Sequence, residues 1–155
     1  MLRERITHSH KAAETIYKAA ADMVTGMGVI KNDDGTFSAP AAATSANIYW
    51  LDKERIPTGI NAARVNMSDY DEDYTTVKKD EFGKLMQYGP GERFATDAYA
   101  TALTDADAGK MVEVGTDGKV AVATAASIYK FKGFYNDAGH ELADIEVLDT
   151  AVSNT

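Results

Sequence analysis

The chain has 155 residues and no cysteine, so neither a disulfide framework nor a thiolate nucleophile is open to it. Its formal charge of −8 disfavours a phosphate backbone as partner, and no apolar run approaches the roughly 20 residues that cross a bilayer. With 45% apolar and 26% charged residues it is composed like a globular protein, long enough to bury roughly two-thirds of its unfolded surface.

The opening run Met1-Leu2-Arg3-Glu4-Arg5-Ile6-Thr7-His8 lacks the apolar stretch of a signal peptide, so the expectation is a soluble protein made in the cytoplasm. Residues 1–18 carry Arg3, Arg5, Lys11 and Lys18 against Glu4 and Glu14, a basic surplus of two on an acidic chain. Such an end is either an arm that docks on an acidic surface or a solvated tail. Ala13, Ile16, Tyr17, Ala20, Met23, Val24 and Met27 fall at helical spacing behind a capping Ser9, yet residues 15–19 read equally well as a strand.

Asn32-Asp33-Asp34-Gly35 then turns the chain, and a four-residue loop there sets Ile30 opposite Phe37 in a hairpin. Asn47-Ile48-Tyr49-Trp50-Leu51 reads as a strand buried on both faces. Trp50, the only tryptophan, is either core filler or an interface anchor. Ile56-Pro57-Thr58-Gly59 and Gly89-Pro90-Gly91 are turns, with short strands over 75–77 and 82–88.

Residues 111–123 carry the strongest local signal. Val112 and Val114 alternate with Glu113, and Val120 and Val122 resume the alternation after Asp117-Gly118. A two-residue loop would split the valines between faces; a three-residue loop over 116–118 puts all four on one, with Gly118 at positive φ. Tyr129 and Phe131 then alternate with Lys130 and Lys132. After a turn at Asn136-Asp137-Ala138-Gly139, Ile145 and Val147 alternate with Asp144 and Glu146. Short strands about ten residues apart predict a mainly β protein, a compact antiparallel β-sandwich or small β-barrel with an N-terminal arm or short helix. The expected division is an arm over 1–14, one β domain over 15–150 and a frayed end over 151–155.

Candidate chemistry is sparse. Asp69, Asp71 and Asp73 imitate the start of a calcium loop, but its sixth and twelfth positions hold Tyr74 and Asp80 instead of Gly and Glu, which favours a solvated acidic loop. His140-Glu141-Leu142-Ala143-Asp144 misses the zinc-protease helix by its last residue and lies in a strand-like run. His8 and His10 lack a third ligand, and Gly89-Pro90-Gly91-Glu92-Arg93 lacks the Gly-Lys-Ser/Thr ending that cradles phosphates. Nothing assembles a nucleophile with a base, so no enzyme, cofactor or metal is expected; Asp69, Asp71 and Asp73 are the weak metal candidates, and an enzyme using paired carboxylates ranks last among the readings.

The runs Tyr17-Lys18-Ala19-Ala20-Ala21-Asp22, Gly26-Met27-Gly28-Val29-Ile30, residues 47–59 and residues 88–97 resemble small virion proteins of tailed bacteriophages, nearest to capsid decoration, or cement, proteins. The resemblance spans roughly residues 15–148 and favours strand over helix at 15–20. It implies a structural protein on the outer surface of the virion capsid, with the major capsid protein as partner, neighbouring copies or a homotrimer as its assembly, and neither nucleic acid nor membrane as target. Individual contact residues do not transfer. Charge and rarity single out Arg3, Arg5, Lys11 and Trp50. The alternatives are another virion part, such as a head fibre base or tail protein, or a carbohydrate- or cation-binding β module lined by Tyr70, Tyr74 and Tyr88.

Overall fold

The computed structural model describes residues 1–8, 12–53 and 75–155, and the chain is mainly β, in antiparallel sheets consistent with a sandwich and without a closed barrel. One six-stranded sheet runs, in spatial order, β1 (Leu2–Ile6), β10 (Arg93–Thr96), β14 (His140–Val152), β13 (Ser127–Asp137), β11 (Met111–Val114), β12 (Val120–Val122). A second runs β2 (Ala12–Glu14), β9 (Lys84–Gln87), β7 (Tyr49–Asp52), β5 (Gly28–Lys31), β6 (Thr36–Ser38), β3 (Lys18–Ala19). A short ribbon pairs β4 (Met23–Val24) with β8 (Thr76–Val77). Among the described strands only β3 and β6 pair in parallel.

Period-two patterning decides which side chains meet. The inner face of the first sheet contributes Phe94, Val112, Val114, Val120, Tyr129, Phe131, Ile145 and Val147 to a core that Trp50 and Met86 close from the second sheet. The next residues along those two strands, Leu51 and Leu85, point the other way, into a smaller core with Phe37, Val29 and Val77. The continuous apolar run at 48–51 is thus explained, because β7 lies between two cores. Trp50 is 1% exposed and packs on Phe94 at 4.4 Å between ring centres and edge-on to Tyr129 at 5.4 Å. It is core filler, and the expectation of a surface anchor is corrected.

Close approach of the sheets requires glycine at one point. A Cβ on Gly28 would lie 2.5 Å from a methyl of Val114, and the Gly28 N–H donates to the Gly118 carbonyl at 2.8 Å. The main hairpin therefore rests directly on β5.

Both hairpins with Asp-Gly turns use one loop type. Val112 faces Val122, Val114 faces Val120, and Gly115 N–H donates to Lys119 O at 2.8 Å, which leaves a three-residue loop with Gly118 at φ 74° as expected. The first hairpin departs from its expected register. Lys31 faces Phe37, Ile30 faces Ser38, and Asn32 N–H donates to Thr36 O at 2.8 Å. The loop is again three residues, ending on Gly35 at φ 81°, and Asp34 Oδ1 accepts from Thr36 N–H as Asp117 Oδ1 does from Lys119 N–H. In both, the aspartate before the glycine ties the turn to the residue after it.

The chain ends also differ from expectation. Leu2–Ile6 pairs with β10, Ala12–Glu14 pairs with β9, and Met1 is buried with its amine donating to the Thr25 carbonyl at 2.6 Å and to Asp97. The described parts of the expected arm are sheet strands. No helix forms over 12–27. Glu14 instead accepts from Lys31 Nζ at 2.6 Å, and that ammonium sits over the rings of Tyr49, at 4.1 Å, and Tyr17, at 5.1 Å. Burial alone would lower Lys31, but Glu14 and Tyr49 outweigh it and hold the ammonium above its ordinary value. At the far end β14 runs on to Val152, and the Asn154 side chain bonds the backbone of Met111 and Ala123, which ties the expected loose end to the sheet. Ser9, His10, Lys11, Ile56 to Gly59, Asp69, Tyr70, Asp71, Asp73 and Tyr74 lie outside the described residues.

Two tyrosines make the core sensitive to alkali. Burial pushes the Tyr129 phenol from 10.0 up to about 12, and burial reinforced by Glu4, Asp52 and Glu92 raises Tyr88 as well. Folded values above unfolded ones mean that the stabilisation is intact below pH 10 and fades as pH rises through 12. In a titration followed at 295 nm and by circular dichroism, the last phenolates should appear together with unfolding. Full ionisation near pH 10 with the fold intact would contradict this.

Candidate functional site

The outward positions of β1, β10, β13 and β14 build one continuous polar face. Register aligns Ile6, Arg93, Glu146, Lys130 and Met111 in a row across five strands, with Arg3, Ala95 and Asp144 in the adjacent row. Arg3, Arg5, Arg93, Lys130 and Lys132 stand here against Asp137, Asp144 and Glu146. The face has a basic surplus although the whole chain is acidic.

Asp144 organises it. Its side chain is only 6% exposed, Arg93 donates to it from Nε at 3.4 Å and from Nη2, and Arg5 Nε lies 3.7 Å away. Arg5 also lies over the Tyr135 ring, with its guanidinium carbon 3.7 Å from the ring centre. Arg3 Nε donates to Asp137 at 2.7 Å. Two strands separate β1 from β13, so both arginine side chains stretch across the face, over the fully buried Ala95 and Leu142. A small residue at 95 leaves room for that crossing. The Arg5 guanidinium is held between a carboxylate and a ring, in an orientation that a partner meets preformed.

Of the residues expected to make contact, Arg3 and Arg5 meet on this face, Trp50 is buried elsewhere, and Lys11 lies outside the described residues. Arg93, Tyr135, Asp144 and Lys130 join them here and are not among the contact residues that charge and rarity single out. Their signal was the charged half of each alternating strand. Lys130 and Lys132 on one strand and Asp144 and Glu146 on the next had to share a face once their apolar neighbours shared the other.

The remaining candidates resolve into structure. Glu92 is fully buried and accepts the N–H groups of Gly89 and His8, each at 2.7 Å, so Gly89-Pro90-Gly91-Glu92 is a turn closed by its own carboxylate. His140 pairs across the hairpin tip with Asp137, Glu141 accepts the Tyr99 hydroxyl at 3.3 Å, and Asp144 belongs to Arg93. Tyr88 is stacked on Phe94 at 4.6 Å and 6% exposed, which corrects its placing in the lining of an open binding site. Among the described residues no three His, Asp or Glu side chains converge as a metal set. No helix among them is long and apolar enough to cross a membrane.

Comparison with protein-family models, curated proteins and solved structures gave no match.

Proposed function

We propose that the protein is a structural virion component that binds the outer surface of an assembled phage capsid and stabilises the contacts between capsid subunits. The observation that carries this reading is the polar sheet face, where Arg5, Arg93 and Tyr135 are held in place around the buried Asp144. Arg and Tyr are the residue types that dominate protein–protein contacts, and rigid side chains lose little freedom on binding. The resemblance of residues 15–148 to decoration proteins supports the choice of a capsid as partner. The net charge of −8 suits a surface directed away from packaged nucleic acid.

On this reading no bond is made or broken. A protein that binds the shell and not the free subunit shifts assembly by mass action, by about 2.7 kcal/mol per site at a hundredfold excess over Kd. Repetition over a symmetric lattice multiplies that effect, so each interface can be modest. Cosedimentation with assembled shells tests the proposal. Saturable binding to shells, with no complex formed with unassembled subunits, is the expected result. Equal binding to both, or to neither, would overturn it.

A further inference from the structure

Beside the arginines the same face holds a groove. It encloses about 350 Å³ between Lys110 and Lys130, over Met111, Leu148 and Val152. Val152 is 46% exposed, one of few large apolar side chains so open to solvent. Lys130, half-buried, has no ion pair among the described residues, whereas Lys110 bonds Asp107 and Lys132 bonds Glu146. The wall is preformed, because Asn154 is tied to Met111 and Ala123 by three hydrogen bonds. The groove is therefore apolar below and flanked by Lys110 and Lys130, with Asn154 fixing one wall, and it continues the row that runs from Arg93 through Glu146 to Lys130.

We infer that the capsid partner lays an acidic segment along this row, setting a carboxylate on Lys130 and an aliphatic side chain in the groove over Leu148 and Val152. Charge complementarity selects the occupant, since a basic surplus on an acidic chain attracts a negative surface and repels a cationic one. An aliphatic side chain is the second requirement, because a purely ionic contact would leave the groove floor uncovered. The inference rests on the proposed capsid role and adds the contact site and the chemistry of the partner segment.

Capsids assembled without this protein provide the test, titrated with the wild type, with Lys130→Glu combined with Leu148→Ser, with Lys130→Gln, and with Lys18→Glu as a remote control. Half-saturation of the double variant should weaken on the order of tenfold or more, and Lys130→Gln should share part of that loss with a shallower salt dependence. Lys18→Glu should match the wild type, and unchanged Trp50 emission should show that all four proteins are folded. Wild-type half-saturation in both groove variants would refute the contact site while leaving the capsid role intact. If the wild type fails to bind, the capsid role itself falls and this inference with it. If light scattering shows a self-associated wild type that the double variant breaks up, the groove holds a second copy of this chain, and the inference is wrong.

Discussion

Phe94→Ala should lower the free energy of unfolding by about 3–5 kcal/mol, the range expected for a fully buried aromatic ring. Phe94 has no exposed surface and touches three other rings, with centroids 4.4 Å from Trp50, 4.6 Å from Tyr88 and 6.5 Å from Tyr129. Its strand pairs with β1 on one side and β14 on the other, so neither neighbour can close the gap without breaking register. Rigid rings around a cavity relax poorly, which puts the cost well above simple loss of buried area. Stabilities of whole domains are about 5–15 kcal/mol, so the variant should be marginal at 37 °C. Denaturant unfolding followed by Trp50 emission measures it. A loss below about 1 kcal/mol would mean that the aromatic cluster is not the centre of the core.

Asp144→Ala should follow, at about 2–3 kcal/mol. Removing one partner of a buried ion pair costs about 3–5 kcal/mol when the orphaned charge cannot reach water. Here Arg93 and Arg5 are 27% and 34% exposed at their side chains and can turn outward, which reduces the penalty. Asp144→Asn should lose less, because its amide oxygen still accepts from Arg93. Combining Asp144→Ala with Arg93→Ala should recover part of the loss, a coupling of about 1 kcal/mol or more. Additive effects would show that the carboxylate does not organise the arginines, and the sheet face would lose its claim to be preformed.

The sequence made the strands and their inward faces legible because alternation and burial have the same cause. Val112, Val114, Tyr129, Phe131, Ile145 and Val147 are all buried as their spacing requires. The loop at 116–118 was predictable because only one loop length keeps four valines together, whereas Ile30 and Phe37 gave the first hairpin no such test. The paired edge strands at the N-terminus were hidden for another reason. Leu2–Ile6 holds two arginines and a glutamate, and what ties its side chains across the face is the arginine reach to Asp137, Asp144 and Tyr135, 130 residues or more away in sequence. Contacts at that separation leave no local period. The candidate face was half legible, through the surplus of Arg3 and Arg5, while Asp144 read as an ordinary outward carboxylate until β10 placed Arg93 beside it.

Counting copies decides whether this chain works by adhesion to a lattice. Quantitative mass spectrometry of purified particles should find it in numbers comparable to the shell protein, a ratio fixed by lattice symmetry, and washing in high salt should strip it while the shell survives. A chain missing from intact particles, or present in only a handful of copies, would contradict a role as shell reinforcement.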